Sequence, residues 1–383
     1  MAKRVFFGST SLAVRPTTYA QTPNASPSVG SWYAPRGVQS VGFSTSVAFE
    51  PLFQLGQTEL YGRTESQSPE VEATVSKAFD GNQPLYVTMM GGGTAVNDKQ
   101  PTELALNHCE LELGIYSENV PYASGTPESS VYCSGMYISN VSYTFPIDGT
   151  ATEEITLVGD TRKWTTSSEA TGFDSIPSAG SEEAPAPYQR WTLNVTGSTL
   201  PSGVYEKPIQ SVSVSMGIGR EAIQELGTRG KYCRYATYPF EVTTDFEVIA
   251  AGKIQGRGPS PGTVTSDNVT EGGYDFVNDV GLECFSAAKY DIDPNGTAPS
   301  DANIDSGYID MGYRDQTITL KFCGETTSDN LTLNLGSKCR LTSQSYSGGD
   351  TGGDNVTLSY SFQSYNEFKM TLAGNFLTDP PTV

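Results

Sequence analysis

Two stretches of the chain align without a gap: VQSVGFSTSVAFEPLFQLGQTELYGR at residues 38–63 and IQSVSVSMGIGREAIQELGTRGKYCR at residues 209–234. The alignment places Val38 against Ile209, and twelve identities occur at this constant spacing as far as Gly81 and Gly252. We call this spacing the repeat offset. Because chance rarely places so many identities at one offset, the sequence predicts that one structural unit occurs twice.

Residues 165–208 separate the two copies and are rich in Ser, Gly, Pro and Thr, which is typical of a flexible linker. We expect one short strand within it, near residues 190–195. The sequence therefore predicts two tandem domains, residues 1–195, with the linker from about residue 165, and residues 196–383.

A weaker repeat follows at shifted offsets. Residues 155–157 match residues 356–358, and Tyr143 lies near the counterpart of Tyr346. Loop insertions explain such shifts, and residues 91–97, 256–267 and 291–307 have the Gly, Pro and Asp clusters of long surface loops.

Each copy has the pattern of a strand, a short helix and a strand. Residues 38–47 and 209–218 alternate apolar and polar residues, as half-buried strands do. The segments EPLFQLG and EAIQELG then place apolar residues three apart before a glycine, which predicts a helical turn with a left-handed C-cap. The predicted helix anchors are Leu52, Leu55 and Gly56 in the first copy and Ile223, Leu226 and Gly227 in the second.

The strand after each predicted helix has one apolar face and one acidic face. In the first copy Glu70 and Glu72 alternate with apolar residues, and Glu110 and Glu112 do so on a third strand at residues 109–113. The acidic residues of the second copy are Glu241, Asp245 and Glu247. An acidic strand face is also what an ordinary solvated sheet surface presents.

The segments LFQLGQTELYGRTESQSPEVEATVSKAFDG, residues 52–81, and GMYISNVSYTFPIDGTATEEITLVGDTRKW, residues 135–164, resemble a tail tube protein of a tailed bacteriophage. The resemblance implies a mostly β fold made of two tandem tail-tube-like β-sandwich or half-barrel domains, each with one short α-helix. It further implies stacked rings around a channel for genomic DNA, with three chains of such a duplicated protein in each pseudo-hexameric ring.

The dimensions of a duplex give a check on that ring number. If each repeat contributes four lining strands, as the resemblance implies, three repeats give a backbone diameter of about 18 to 22 Å. Side chains would then leave too little room for a duplex of roughly 20 Å. Six repeats give about 37 to 45 Å, which passes DNA. Three chains supply six repeats.

An acidic channel wall would offer few cations to hold phosphates, so DNA could slide past it. The seven acidic residues named above are therefore predicted to face the lumen. The expected partners are further copies of the chain and other tail proteins: tape measure, terminator, baseplate and, in a contractile tail, sheath. The expected location is the virion tail, assembled in the host bacterial cytoplasm.

Composition agrees with a protein that does not grip nucleic acid. The 383 residues carry 23 Lys and Arg against 43 Asp and Glu, a net charge of −20, whereas nucleic-acid affinity needs a surplus of cations. The first residues, MAKRVFFGSTSLAVRP, predict no secretory signal, and the sequence has no apolar run long enough for a membrane helix. The six cysteines include no Cys-x-x-Cys pair and are expected to be buried side chains.

Three weak catalytic or binding motifs occur in the sequence. Gly217, Gly219 and Ala222 imitate a dinucleotide fingerprint, but the aligned first copy has no glycines there. Residues 291–302 begin like a calcium loop but lack the final Glu. His108 adjoins Cys109, yet neighbours on a strand point to opposite faces. We therefore expect no enzyme activity, catalytic residue, cofactor or metal.

Two other function classes stay open. A β-rich acidic chain with several Asn-x-Ser/Thr sites could be a secreted or surface carbohydrate-binding module or adhesin. Glycan binding by the monomer would support that function. A glycoside hydrolase with paired carboxylates is the other alternative, although no pair stands out in the sequence.

Overall fold

The computed structural model describes residues 5, 7–19, 26–65, 69–80, 82–117, 127–166, 168–170, 193–196, 209–227, 230–249, 316–323, 330–347 and 357–374. Most of the predicted linker at residues 165–208 and the predicted loops at residues 256–267 and 291–307 lie outside these ranges. The calcium-like segment lies within the last of these loops.

The described chain is mostly β-strand. Its strands are β1 (Thr10–Thr18), β2 (Ser28–Val29), β3 (Val38–Ser46), β4 (Phe49–Phe53), β5 (Leu60–Glu65), β6 (Glu70–Ala78), β7 (His108–Ile115), β8 (Ser129–Pro146), β9 (Thr152–Gly159), β10 (Thr161–Thr165), β11 (Leu193–Thr196), β12 (Ile209–Gln224), β13 (Lys231–Ile249), β14 (Gln316–Cys323), β15 (Asn330–Ser347), β16 (Thr357–Tyr365) and β17 (Lys369–Ala373). Two short helices, α1 (Leu85–Met90) and α2 (Gly93–Val96), lie between β6 and β7.

Eight strands form one continuous antiparallel run in the order β3-β6-β9-β8-β12-β13-β16-β15. The first four strands come from the N-terminal half of the chain and the last four from the C-terminal half. The two groups of four are joined side by side by the pairing of β8 with β12. We call this sheet the eight-stranded run.

A second layer is built on β8 and β15, each of which is 18 residues long. The first part of β8 pairs with β7 and β10, and the first part of β15 pairs with β14 and β17. In turn β1 pairs with β7, and β11 pairs with β14. The strand order β1-β7-β8-β9-β6-β3, with β10 on β8, therefore recurs as β11-β14-β15-β16-β13-β12, with β17 on β15.

The bounds of the strands follow the repeat offset found in the sequence. The ends of β12, Ile209 and Gln224, correspond at this offset to the start of β3 and the end of β4. The ends of β13, Lys231 and Ile249, correspond in the same way to the start of β5 and the end of β6. The strands predicted at residues 38–47 and 209–218 are confirmed.

The register of the other strands sets different offsets. Val75 lies opposite Ile155, and its counterpart Phe246 lies opposite Tyr360, so β16 corresponds to β9 with Tyr360 at the position of Ile155. By the same reasoning, β15 corresponds to β8, with Tyr346 at the position of Tyr143. The sequence match of residues 155–157 with residues 356–358 was therefore wrong by four positions. We call these equivalences the register correspondence.

One apolar core fills the space between the eight-stranded run and the second layer. Leu111 of β7 and Val75 of β6 belong to the same buried cluster as Val214 and Phe246 in the other half. Burial of apolar surface is the main favourable contribution to folding. Because this core covers one face of the run, the opposite face is polar and open to solvent.

The helix prediction was wrong. The residues of EPLFQLG and EAIQELG lie in β4, at the end of β12 and in the turns that follow. Both helices instead lie in the N-terminal half, and all six residues of α1 are buried. The predicted surface loop at residues 91–97 contains α2, whose Val96 is buried in the core. The boundary predicted between residues 195 and 196 falls inside β11, although the short strand expected in this region is present.

Helix α1 begins at a buried carboxylate that the sequence did not single out. Glu153 accepts hydrogen bonds from the backbone N–H groups of Leu85 (2.6 Å) and Tyr86 (3.0 Å) and from the Tyr143 hydroxyl (3.0 Å). Burial raises the pKa of Glu153, and the positive charge of Lys77 opposes that shift. The register correspondence places Leu358 at the equivalent position, so the C-terminal half has no such carboxylate there.

Candidate assembly surfaces and acidic face

The eight-stranded run has two edges. In the described chain, β3 pairs on one side with β6, and residues 340–347 of β15 pair on one side with β16. Their counterparts in the other half, β12 and β8, pair with each other, with Ser215 opposite Ser142. The centre of the chain therefore contains the same joint that its two edges would form if β15 of one copy met β3 of another.

Each half carries a β-hairpin that extends beyond the run. The first hairpin consists of β4 and β5, residues 49–65, and the second consists of residues 220–236 at the adjoining ends of β12 and β13. Gly56 (φ 89°) and Gly227 (φ 94°) have the left-handed conformation expected from the sequence, but they serve the hairpin turns and not a helix C-cap.

The predicted helix anchors lie on these hairpins and not on a helix. Leu55 and Leu226, near the two turns, are fully exposed. Leu52 and Ile223, on the hairpin arms, are each 43% exposed. Exposed large apolar side chains at matching positions of two hairpins are typical of contact surfaces.

Arg234 fixes the second hairpin to the N-terminal half. Its guanidinium is almost fully buried and donates to the carboxylates of Glu70 (2.8 Å) and Asp160 (2.8 Å) and to the Gly159 carbonyl (3.0 Å). Lys231 adds an ion pair with Asp160 at 3.4 Å. The hydrogen bond from Arg234 lowers the pKa of Glu70, and the positive charges of both cations add to that effect.

Arg220 makes the second attachment of this hairpin. Its guanidinium donates to the backbone carbonyls of Ile138 (2.9 Å) and Ala105 (2.6 Å) and lies 5.2 Å from the ring centroid of Tyr137. Burial lowers the pKa of Arg220 to about 10, so the side chain is charged at neutral pH. Charge-assisted hydrogen bonds and a cation–π contact thus hold the hairpin against β8.

The first hairpin differs in its surroundings. It forms a separate two-stranded sheet, and every residue of β4 is exposed. Arg63, the counterpart of Arg234, is exposed and has no ion-pair partner among the described residues. Phe49, Phe53 and Tyr61 on the same hairpin are also more than half exposed.

The open face of the eight-stranded run is acidic. Glu70 and Glu72 on β6 are exposed, as are Glu241 and Asp245 on β13, and Glu247 is half-buried beside Ser211. The structure therefore brings five of the seven predicted residues onto one sheet face, although the position of that face in an assembly stays a prediction.

A sixth carboxylate on this face was missed. Glu154 on β9 is exposed and lies opposite Ser76 of β6 and Ser142 of β8. It alternates with the buried Ile155 and Leu157, so the strand period could have identified it. The face also carries Arg340, which lies opposite Gln363 at the start of the paired part of β15.

The prediction was wrong for Glu112, which is buried, and Glu110 does not lie on the acidic face of the eight-stranded run. Both belong to β7 in the second layer. The Glu112 carboxylate is buried and accepts hydrogen bonds from the backbone N–H groups of Glu169 and Ala170, because that segment covers the outer side of β7. Glu110 is half-buried and forms an ion pair with Arg15.

The weak motifs of the sequence lead to no enzyme-like arrangement in the described residues. Gly217, Gly219 and Ala222 lie on β12, paired with β13, where no helix begins. His108 packs between the rings of Tyr19 and Tyr137, and burial lowers its pKa.

Cys109 points to the other face of β7, into the core, where burial raises the pKa of the thiol and so suppresses its reactivity. Across the part of the chain that the structure describes, no group of three or more His, Cys, Asp or Glu side chains is placed to hold a metal ion. Neither described helix is long and apolar enough to cross a bilayer.

Comparison with known proteins gives no family for this chain: no family model matches it, and no curated protein matches it. Its interpretation therefore rests on the strand order, the two edges, the two hairpins and the acidic face.

Proposed function

We propose that this protein is a structural subunit that polymerises into the tail tube of a bacteriophage, with three chains in each ring and rings stacked along the tube. The chain would consist of two fused copies of one tube domain. The observation that carries the proposal is the eight-stranded run, in which one order of four strands occurs twice and the two groups are already joined edge to edge.

Edge pairing gives such a chain a way to close a ring. An exposed strand edge is a row of unpaired backbone donors and acceptors, and closure of the sheet removes it. Because the edges of β15 and β3 are different surfaces, a contact between them is heterologous. Such a contact builds a closed ring when the rotation between neighbouring chains is a whole-number fraction of a full turn. If the joint between chains has the geometry of the joint between β8 and β12, each ring has pseudo-sixfold symmetry only when three chains take part.

The width of the channel agrees with passage of a genome. Three runs of eight strands make a barrel of 24 strands, whose backbone diameter is about 37 to 45 Å at the usual strand spacing and tilt. The core covers the apolar face of the run, which leaves the acidic face as the one that could line the channel. Carboxylates along that wall would repel phosphates and let the duplex slide without binding.

The proposal also states where the protein works and with what. Its partners would be copies of itself and the proteins that begin, measure and end a tail: baseplate, tape measure, terminator and, in a contractile tail, sheath. It would be assembled in the host bacterial cytoplasm and function in the virion without catalysis, cofactor or metal.

Negative-stain electron microscopy of the purified protein tests the proposal. We expect rings or tubes with a central channel, and image averages with three chains per ring. Purified protein that stays monomeric at high concentration and binds glycans would contradict the proposal and favour a carbohydrate-binding module. Hydrolysis of a polysaccharide would favour a glycoside hydrolase.

A further inference from the structure

We infer that the first hairpin of one chain is seated on the C-terminal half of the next chain in the ring, by three contacts that involve Arg63, Phe49 and Leu60. This inference rests on the proposed function, because it needs β15 of one chain beside β3 of the next. The surface that binds the first hairpin belongs to a second copy of this chain. The evidence is the set of contacts that the second hairpin makes within the chain, which we call its seat.

Each residue in the seat of the second hairpin has a counterpart that would contact the first hairpin of a neighbouring chain. The hairpins correspond at the repeat offset, and the register correspondence gives the counterparts on β13, β16 and β15. If two chains meet as β8 and β12 do, the first hairpin reaches β13, β16 and β15 of its neighbour. The side chains found there decide whether the seat can accept it.

The central ion pair is retained in this translation. Arg234 becomes Arg63, and Glu70, which holds Arg234 at 2.8 Å, becomes Glu241 of the neighbouring copy. Both Arg63 and Glu241 are exposed in the single chain, and Glu241 accepts one hydrogen bond from Gln363 at 2.5 Å. Charge complementarity between the hairpin and its seat is therefore preserved.

A second contact is retained with its partners exchanged. Within the chain, Arg220 on the hairpin lies over the ring of Tyr137. The counterpart of Arg220 is the exposed Phe49, and the counterpart of Tyr137 is the exposed Arg340. The hairpin now supplies the aromatic ring and the neighbouring chain supplies the cation, so the pair keeps the chemistry of a cation–π contact.

The third contact changes from polar to apolar on both sides at once. Lys231 and Asp160 form an ion pair at 3.4 Å within the chain. Their counterparts are Leu60, 40% exposed, and Tyr365, 47% exposed. A charged pair has become an apolar pair. Within the chain Arg234 also binds Asp160 at 2.8 Å, so Arg63 would keep one carboxylate partner, Glu241, and would meet Tyr365 in place of the other. The retained charge pair of Arg63 and Glu241, the exchanged pair of Phe49 and Arg340 and the apolar pair of Leu60 and Tyr365 together support this contact between copies.

Charge reversal tests the ion pair. We expect Arg63→Glu and Glu241→Arg each to raise the protein concentration needed for half-maximal ring formation about tenfold or more, because each places like charges together. The double variant Arg63→Glu, Glu241→Arg should return to within about threefold of the wild type. Arg162→Glu, a charge reversal at an exposed position of β10 outside both hairpins, is the matched control and should assemble as the wild type does.

A swap of the second contact gives an independent test. Phe49→Arg places a cation against Arg340 and should weaken ring formation, whereas Phe49→Arg combined with Arg340→Tyr recreates the pair seen at Arg220 and Tyr137 and should restore it. Monomer melting temperatures should stay unchanged for Phe49→Arg, which separates assembly from folding.

The outcomes distinguish the seat from the ring. Wild-type rings together with single variants that assemble normally, or a double variant with no recovery, would overturn the seat and leave the proposed function standing. A wild-type chain that forms no ring under any condition would overturn both.

Discussion

The two hairpins of this protein have related sequences and the same shape but different surroundings. The second hairpin is held to the N-terminal half by Arg234, Arg220 and Lys231, and two of these cations are almost fully buried. The first hairpin stands apart from the rest of its own chain, with Arg63 and its aromatic side chains exposed. Because the molecule contains both hairpins, the contacts of the second hairpin predict which surface would bind the first.

The largest difference is expected between Arg234 and Arg63. Arg234→Ala should lower the free energy of unfolding by about 2 to 4 kcal/mol, because it removes a buried cation that neutralises two carboxylates. Arg63→Ala should change it by less than about 0.5 kcal/mol, as is usual for an exposed side chain. Urea denaturation of the monomer measures both, and equal losses would show that the two hairpins are not in different environments.

A smaller difference is expected between Arg220 and Phe49. Arg220→Ala leaves the carbonyls of Ile138 and Ala105 without their charged donor, so we expect a loss of about 1 to 3 kcal/mol. Phe49→Ala should leave monomer stability unchanged within about 0.5 kcal/mol, since more than half of the side chain is already exposed. The same denaturation series measures both variants, and a large loss for Phe49→Ala would mean that the first hairpin has a seat within its own chain.

The smallest expected effect is a pH dependence at Glu70. Its pKa is lowered in the folded chain, so its contribution to stability is present above the unfolded pKa of about 4.5 and is lost as pH falls through the lower folded value. Glu70→Gln should therefore cost roughly 0.5 to 1 kcal/mol at pH 7, because the pair is partly screened by solvent, and less at pH 3.

Glu241→Gln is the matched control for Glu70→Gln. In the monomer it should cost little at either pH, since Glu241 is exposed and no ion pair is seen for it among the described residues. A cost for Glu70→Gln that is the same at pH 3 as at pH 7 would contradict the assigned role of its charge.

The sequence predicted the repeated strands well because alternation and offset are local signals. Val38 to Ser46 and its counterpart at Ile209 have the period of half-buried strands, and no insertion separates them from the hairpins. The sequence placed Tyr143 near the counterpart of Tyr346, as the register does, but misplaced β9 by four positions, because a long segment of different length in the two halves shifts the offsets. Pairing in the sheet, such as that of Val75 with Ile155, was needed to set them.

Part of the candidate site was also visible in the sequence. Glu70 and Glu241 were found by strand alternation, but Arg234 was not, because its partners lie on other strands and become neighbours only after folding. The helix prediction failed at Leu52 and Leu55 because apolar residues three apart occur on an exposed hairpin arm and its turn as well as on one face of a helix. Glu112 was misassigned because the period of a strand identifies its two faces but does not show that a later segment covers one of them.

The central claim is that three chains close a ring through β15 and β3, and a disulfide across that joint tests it most directly. Residues opposite each other in antiparallel strands are close enough for a disulfide. Ser44 and Ser345 are the exposed counterparts of Ser215 and Ser142, which lie opposite each other within the chain. The variant Ser142→Cys, Ser215→Cys therefore reports whether this register permits the bond at all.

Oxidation of the Ser44→Cys, Ser345→Cys variant, followed by denaturing electrophoresis without reductant, gives the number of chains in a ring. We predict covalent dimers and trimers with no larger product, and no linked product from either single variant. Products of six chains, an unlimited ladder, or unlinked chains when the internal pair of cysteines oxidises would contradict the claim.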